Sequence, residues 1–108
     1  MNKYTELSDF EINRRIAEMD TKNRYVYFEK EQTIFRKFNN GQTQKFNPCN
    51  YPNDIVPIII DKKISVYFVS DNIGWAARDS NTDYGELECT DKNYCRAAAI
   101  LFLLMKDI

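Results

Sequence analysis

The sequence has no histidine, and only three glycines, three prolines and three cysteines. Without an imidazole, every mechanism that needs a histidine base, relay or metal ligand is excluded. Gly41, Gly74 and Gly85 stand alone, so no Gly-rich loop can cradle a phosphate and P-loop nucleotide hydrolysis is out. The longest apolar run, residues 97–105, is nine residues, half of the ~20 that a membrane span requires. Neither sign of charge dominates: 15 Lys and Arg face 16 Asp and Glu, for a net charge of −1. No global field draws such a chain onto nucleic acid.

What is present is globular. A chain of 108 residues that is 44% apolar and 14% aromatic is sized for one domain with one modest core. Residues 1–20 are charged throughout and show no apolar segment of the kind an export signal carries. Cys49, Cys89 and Cys95 are an odd number without a regular framework. Free thiols, no export signal and no span together predict a cytoplasmic protein.

Three helices are predicted. Ser8 followed by Glu11 forms a capping box, with Leu7 and Ile12 placed as a hydrophobic staple, for a helix over about 9–19. Phe10, Ile12, Ile16 and Met19 carry its apolar stripe. A second helix is expected over about 53–61, with Pro57 in its first turn and Lys62 and Lys63 at its end. Asn93 caps a third, over about 94–106, which is apolar on every side from Ala97 to Met105.

Strand signals fill the remainder. Residues 24–38 read as a hairpin, and 42–46 as a third, shorter strand after the Asn39-Asn40-Gly41 turn. Residues 64–69 are nearly continuously apolar, which predicts a central strand. Residues 73–78 pair back with Trp75 and Ala77 on one face, 79–85 form a polar loop, and 86–89 give one more short strand. The fold class expected is α+β: a mainly antiparallel sheet of about four or five strands packed with three helices, the C-terminal helix in the core.

A series of motifs then becomes recognisable. Phe46-Asn47-Pro48-Cys49-Asn50, Pro57-Ile58-Ile59-Ile60, Lys63-Ile64-Ser65, Trp75-Ala76-Ala77 and Arg96-Ala97-Ala98 before Phe102-Leu103-Leu104-Met105 follow one another. Together with the opening Tyr4-Thr5-Glu6-Leu7-Ser8-Asp9-Phe10-Glu11-Ile12-Asn13, the series resembles the NinX family of lambda-like phages and prophages. Members often carry Pro where Tyr94 stands, a change that removes a pre-set φ but no chemistry. The resemblance implies a small phage accessory protein of the host cytoplasm. It brings no catalytic residue and no cofactor.

Candidate sites divide into chemistry and surfaces. Three thiols 40 and 6 residues apart, with no histidine beside them, do not make the four-ligand set of a structural zinc site. Asp79, Asp83, Glu86, Glu88 and Asp91 lack the glycine and the alternation of a calcium loop and read as a solvated stretch. Between Lys22 and Lys45 six basic residues face Glu29 and Glu31, a local +4 interleaved with aromatic rings. Basic plus aromatic on strands is the recipe for single-stranded nucleic acid, which nominates Arg24, Tyr25, Tyr27, Arg36, Lys37 and Lys45. The alternative is a half-buried strand pair whose rings face the core and whose cations solubilise the edge.

A second surface is the prolyl loop with the single tryptophan: Asn47, Cys49, Asn50, Tyr51 and Trp75 suit recognition of a host or phage protein. An enzyme ranks behind both binding readings, with protein binding placed first and nucleic acid as its alternative. Finally, a last helix without a polar side invites a homodimer through Ala98, Leu101, Phe102 and Met105.

Overall fold

A computed structural model describes residues 3–79 and 87–107. The element order is α1 (Asp9–Met19), β1 (Arg24–Phe28), β2 (Thr33–Lys37), β3 (Thr43–Lys45), α2 (Pro52–Lys62), β4 (Ser65–Ser70), β5 (Gly74–Asp79), β6 (Leu87–Asp91) and α3 (Tyr94–Lys106). The fold is α+β with three helices, but the strands form two three-stranded antiparallel sheets, β1-β2-β3 and β4-β5-β6, where a single sheet of four or five strands was expected. The split has a local cause. In each sheet consecutive strands pair antiparallel, and the prolyl loop with α2 separates β3 from β4. The predicted polar loop after Asp79 lies largely outside the described residues, as do Asp83 and Glu86.

The helix α3 is the centre of the molecule. One side lies on β4-β5-β6, and α1 and α2 pack on others. Ala97, Ala98, Ala99, Ile100, Leu101 and Leu103 are fully buried within the single chain. Consecutive alanines let three neighbours approach one helix closely, and each buried Leu or Ile adds roughly 1.5–3 kcal/mol. The residues expected to self-associate are placed differently from a free patch: Ala98 and Leu101 are already covered, Phe102 is buried and Met105 packs partly on the core. The apolar circumference of α3 is met inside one copy.

Helix starts follow the caps. The amide of Glu11 donates to Ser8 Oγ at 3.2 Å, and those of Cys95 and Arg96 donate to Asn93 Oδ1 at 2.8 and 3.3 Å. In α2 the proline at the first position is Pro52, while Pro57 falls inside the helix beyond the first turn. Lys63 ends α2 in the left-handed conformation, with Ile64 N donating to Ile59 O at 3.0 Å. On α1, Asn13 takes a buried place and Met19 is left exposed.

Two strand positions differ from expectation. The strand β4 is an edge, and β5 is central. The apolar run of β4 is therefore not covered on both faces, and Tyr67, Phe68 and Val69 are exposed. Gly74 opens β5 at φ +94°, where a Cβ would sit 2.6 Å from Asp91 O and 2.7 Å from Lys92 Cα. Only glycine permits β6 to pass that closely.

Candidate functional site

The β1-β2-β3 sheet has two unlike faces, and strand alternation decides what each contains. Register pairs Arg24 with Lys37, Val26 with Phe35 and Phe28 with Thr33, then Phe35 with Lys45 and Lys37 with Thr43. These eight residues share the face turned away from the core. Three are cations, two are phenylalanines, and no carboxylate is among them. Arg24, Lys37 and Lys45 are exposed, and none forms an ion pair among the described residues. Phe28 and Phe35 meet edge to face at 5.7 Å, and Phe28 is 44% exposed. Val26, Phe28, Phe35, Lys37 and Thr43 line a shallow depression of about 250 Å³.

The opposite face carries Tyr25, Tyr27, Ile34 and Arg36, and it points at the helices. Tyr27 lies under the Arg14 guanidinium of α1 at 5.5 Å from its ring centroid. The Tyr25 hydroxyl donates to Asp20 Oδ2 at 2.5 Å, and its ring packs on Phe46 at 4.9 Å. Burial, reinforced by that bond, pushes the Tyr25 hydroxyl up to about 12. Burial also works against the charge of Asp20, but bonds from Tyr25, Asn23 and Lys22 outweigh it and hold the carboxyl below its ordinary range. The nucleic-acid candidates are thus divided. Arg24, Lys37 and Lys45 stay together on the free face, while Tyr25, Tyr27 and Arg36 turn inward and hold the sheet to the body. The rings that do face outward, Phe28 and Phe35, belong to the aromatic set interleaved with the hairpin cations but lie outside the six candidates. Their parity with Arg24 and Lys37 is the sequence signal that marks them.

The prolyl loop serves a different end. Asn13 Nδ2 donates to Asn47 Oδ1 at 2.8 Å, and Cys49 N donates to Asn13 Oδ1 at 3.0 Å. Asn50 Nδ2 reaches Asn47 Oδ1 and Asp9 Oδ2, both at 3.0 Å, and Asn93 Nδ2 donates to Asn50 Oδ1 at 3.1 Å. Arg96 completes this network. Its Nε donates to Asp91 Oδ1 at 3.0 Å, its Nη1 pairs with Asp9, and its Nη2 donates to the carbonyls of Leu7 and Thr5 at 2.7 and 3.1 Å. Burial alone would lower the Arg96 pKa, but Asp9 and Asp91 reverse that and fix the charge. The loop is a staple between α1 and the start of α3.

Cys49 is fully buried within that staple, which corrects its place on a partner surface. Asn47 is half-buried and engaged in the network, Asn50 is exposed, and Tyr51 is exposed at the start of α2. Trp75 stands between Phe68 and Tyr94, with centroid distances of 5.3 and 5.2 Å. Phe68 is 52% exposed, so this aromatic row ends at the surface.

Cys89 and Cys95 are buried like Cys49, and burial raises all three thiols, Cys89 to about 12. The Cys89 thiol donates to Ala97 O at 3.2 Å. Among the described residues no three Cys, Asp or Glu side chains converge as a metal site requires. Glu88 accepts from the Tyr67 hydroxyl and Asp91 from Arg96, so these two carboxylates are structural. No helix of the described residues is long and apolar enough to cross a membrane.

The motif series runs through the staple, the α2 helix and α3, and a family description, NinX of bacteriophage P22, matches residues 3–106. The chain belongs to the NinX family. No curated protein and no solved structure matches it. A NinX chain is a phage protein, and in this one the Asn47-Pro48-Cys49-Asn50 and Arg96 motifs are engaged in the hydrogen-bond network that joins α1 to α3.

Proposed function

We propose that this NinX chain is a non-enzymatic accessory factor of the host cytoplasm that binds single-stranded nucleic acid on the outer face of β1-β2-β3. The observation that supports this reading is the composition of that face: Arg24, Lys37 and Lys45 around Phe28, Phe35 and Val26, without a carboxylate. Exposed rings offer stacking to any base, and unpaired cations meet the phosphates on either side. The global charge of −1 does not oppose this, because the local field is set by the face. Acids of the hairpin are in its turn, where Glu29 pairs with Arg14 of α1.

Fluorescence anisotropy with labelled single-stranded oligonucleotides tests it. With at most three phosphates neutralised, log affinity should fall against log salt with a slope of about −2. Lys37→Glu should weaken binding and flatten that slope. A protein that leaves the oligonucleotide free at about 100 µM and low salt would remove the reading.

One observation favours a second reading, a host or phage protein partner. The row Phe68-Trp75-Tyr94 emerges at an edge strand beside the exposed Ile73. Half-covered aromatic anchors of this type dominate protein interfaces. Affinity capture from infected cells should then yield a partner that Phe68→Asp loses and Lys37→Glu keeps.

A further inference from the structure

Behind the same sheet lies a groove of about 560 Å³ between the end of α1, the inner face of β1-β2, α2 and the last turn of α3. Its volume is in the range of small-molecule sites. Ile16, Met19, Pro57, Ile58 and Phe102 provide an apolar wall. Four cations, Lys22, Arg36, Lys62 and Lys106, and three carboxylates, Asp20, Asp54 and Asp61, provide the polar part.

The carboxylates are already engaged. Asp20 accepts from the Tyr25 hydroxyl, the amides of Lys22 and Asn23 and the Asn23 side chain. Asp54 Oδ2 accepts from Asn47 N at 2.8 Å, and Asp61 lies 3.3 Å from Lys62 Nζ. Arg36 is different. Its guanidinium rests over the rings of Tyr25 and Phe46, at 5.8 and 5.5 Å. It has no carboxylate partner among the described residues, and its Nε is buried without an acceptor. A buried guanidinium N–H without an acceptor is costly, and an anion in the groove would supply the acceptor. Lys106, over the Phe102 ring at 5.3 Å, adds a second cation to the lining.

We propose that this groove binds a small organic anion: an apolar body against Ile16, Ile58 and Phe102, and one anionic end between Arg36 and Lys106. The site is independent of the nucleic-acid face, because Arg36 points inward while its neighbours Phe35 and Lys37 point outward. Two cations contacting one anion distinguish it from a merely greasy cleft, which would accept a neutral molecule equally well.

The test uses anilinonaphthalene sulfonate, an apolar ring system with one anionic group, against its neutral relative N-phenylnaphthylamine. The folded protein should bind one equivalent of the sulfonate, and the neutral compound about tenfold more weakly, the scale of one charge-assisted hydrogen bond. Arg36→Gln should weaken the sulfonate by a similar factor, Lys106→Gln by less, and Lys37→Glu should leave it unchanged. Circular dichroism establishes that each variant is folded; if Arg36→Gln is not, Lys106→Gln on the exposed end of α3 decides. Amide shifts on binding should cluster at Met19, Arg36, Ile58 and Phe102. Equal affinity for the neutral compound, wild-type affinity in Lys106→Gln, or no binding by the folded protein would overturn the proposal.

Discussion

Arg96 on α3 and Asp9 on α1, 87 residues apart in sequence, are joined by an ion pair in which the Arg96 side chain is only 14% exposed. The same guanidinium binds Asp91 and two backbone carbonyls, so four acceptors depend on it. Replacing it takes this donor from Asp9, Asp91 and the Leu7 carbonyl in a largely covered place.

Arg96→Met is therefore expected to destabilise the fold by at least about 2 kcal/mol, and to lower the melting temperature by roughly 10 °C. Urea unfolding followed by circular dichroism measures this. A loss within about 0.5 kcal/mol would mean that the staple contributes nothing to stability.

The thiols offer a second check. Burial raises Cys49, Cys89 and Cys95 above the ordinary thiol range, and a thiol must be ionised and reachable to react. In native protein near pH 8, a disulfide reagent should label none of the three within the time that labels all three in denaturant. Rapid native labelling of even one thiol would contradict the packing of the staple or of β6 on α3.

Alkaline stability follows from Tyr25. Its folded value is about 12 against an ordinary 10.0, raised first by burial and then by the bond to Asp20. The sign is set by the neutral form, which the fold prefers. The contribution is complete below pH 10, and is lost as pH rises from there through about 12. Tyr25→Phe should be less stable than wild type at pH 8, and the gap should close above pH 11. An unchanging gap would show that the hydroxyl is not held as described.

Much of the fold was legible because local signals and tertiary packing agree. Ser8 and Asn93 cap the helices they were expected to cap, and the bounds of α1 and α3 follow from them. The failures arose where sequence composition had to stand for tertiary context. A run such as Val66-Tyr67-Phe68-Val69 looks the same whether both its faces are covered or not, so composition alone does not distinguish the edge strand β4 from a central one. A helix apolar all round says that it is covered, but not by what; α1, α2 and β4-β5-β6 of the same chain pack on α3. The candidate face suffered from grouping by composition: Tyr25 and Tyr27 have the chemistry, but Phe28 and Phe35 have the parity.

Phe28 gives the most direct test of the nucleic-acid reading. It is exposed, it contributes little to the core, and its ring is the outermost on the carboxylate-free face. Binding of a labelled single-stranded oligonucleotide at low salt is measured for wild type, Phe28→Ala and Phe38→Ala, the last removing an exposed ring just outside β2. Loss of one stacked base is expected to weaken Phe28→Ala by at least about fivefold, with Phe38→Ala near wild type and all three equally stable. Wild-type affinity in Phe28→Ala, or no binding by wild type, would contradict the claim that this face receives a nucleic-acid strand.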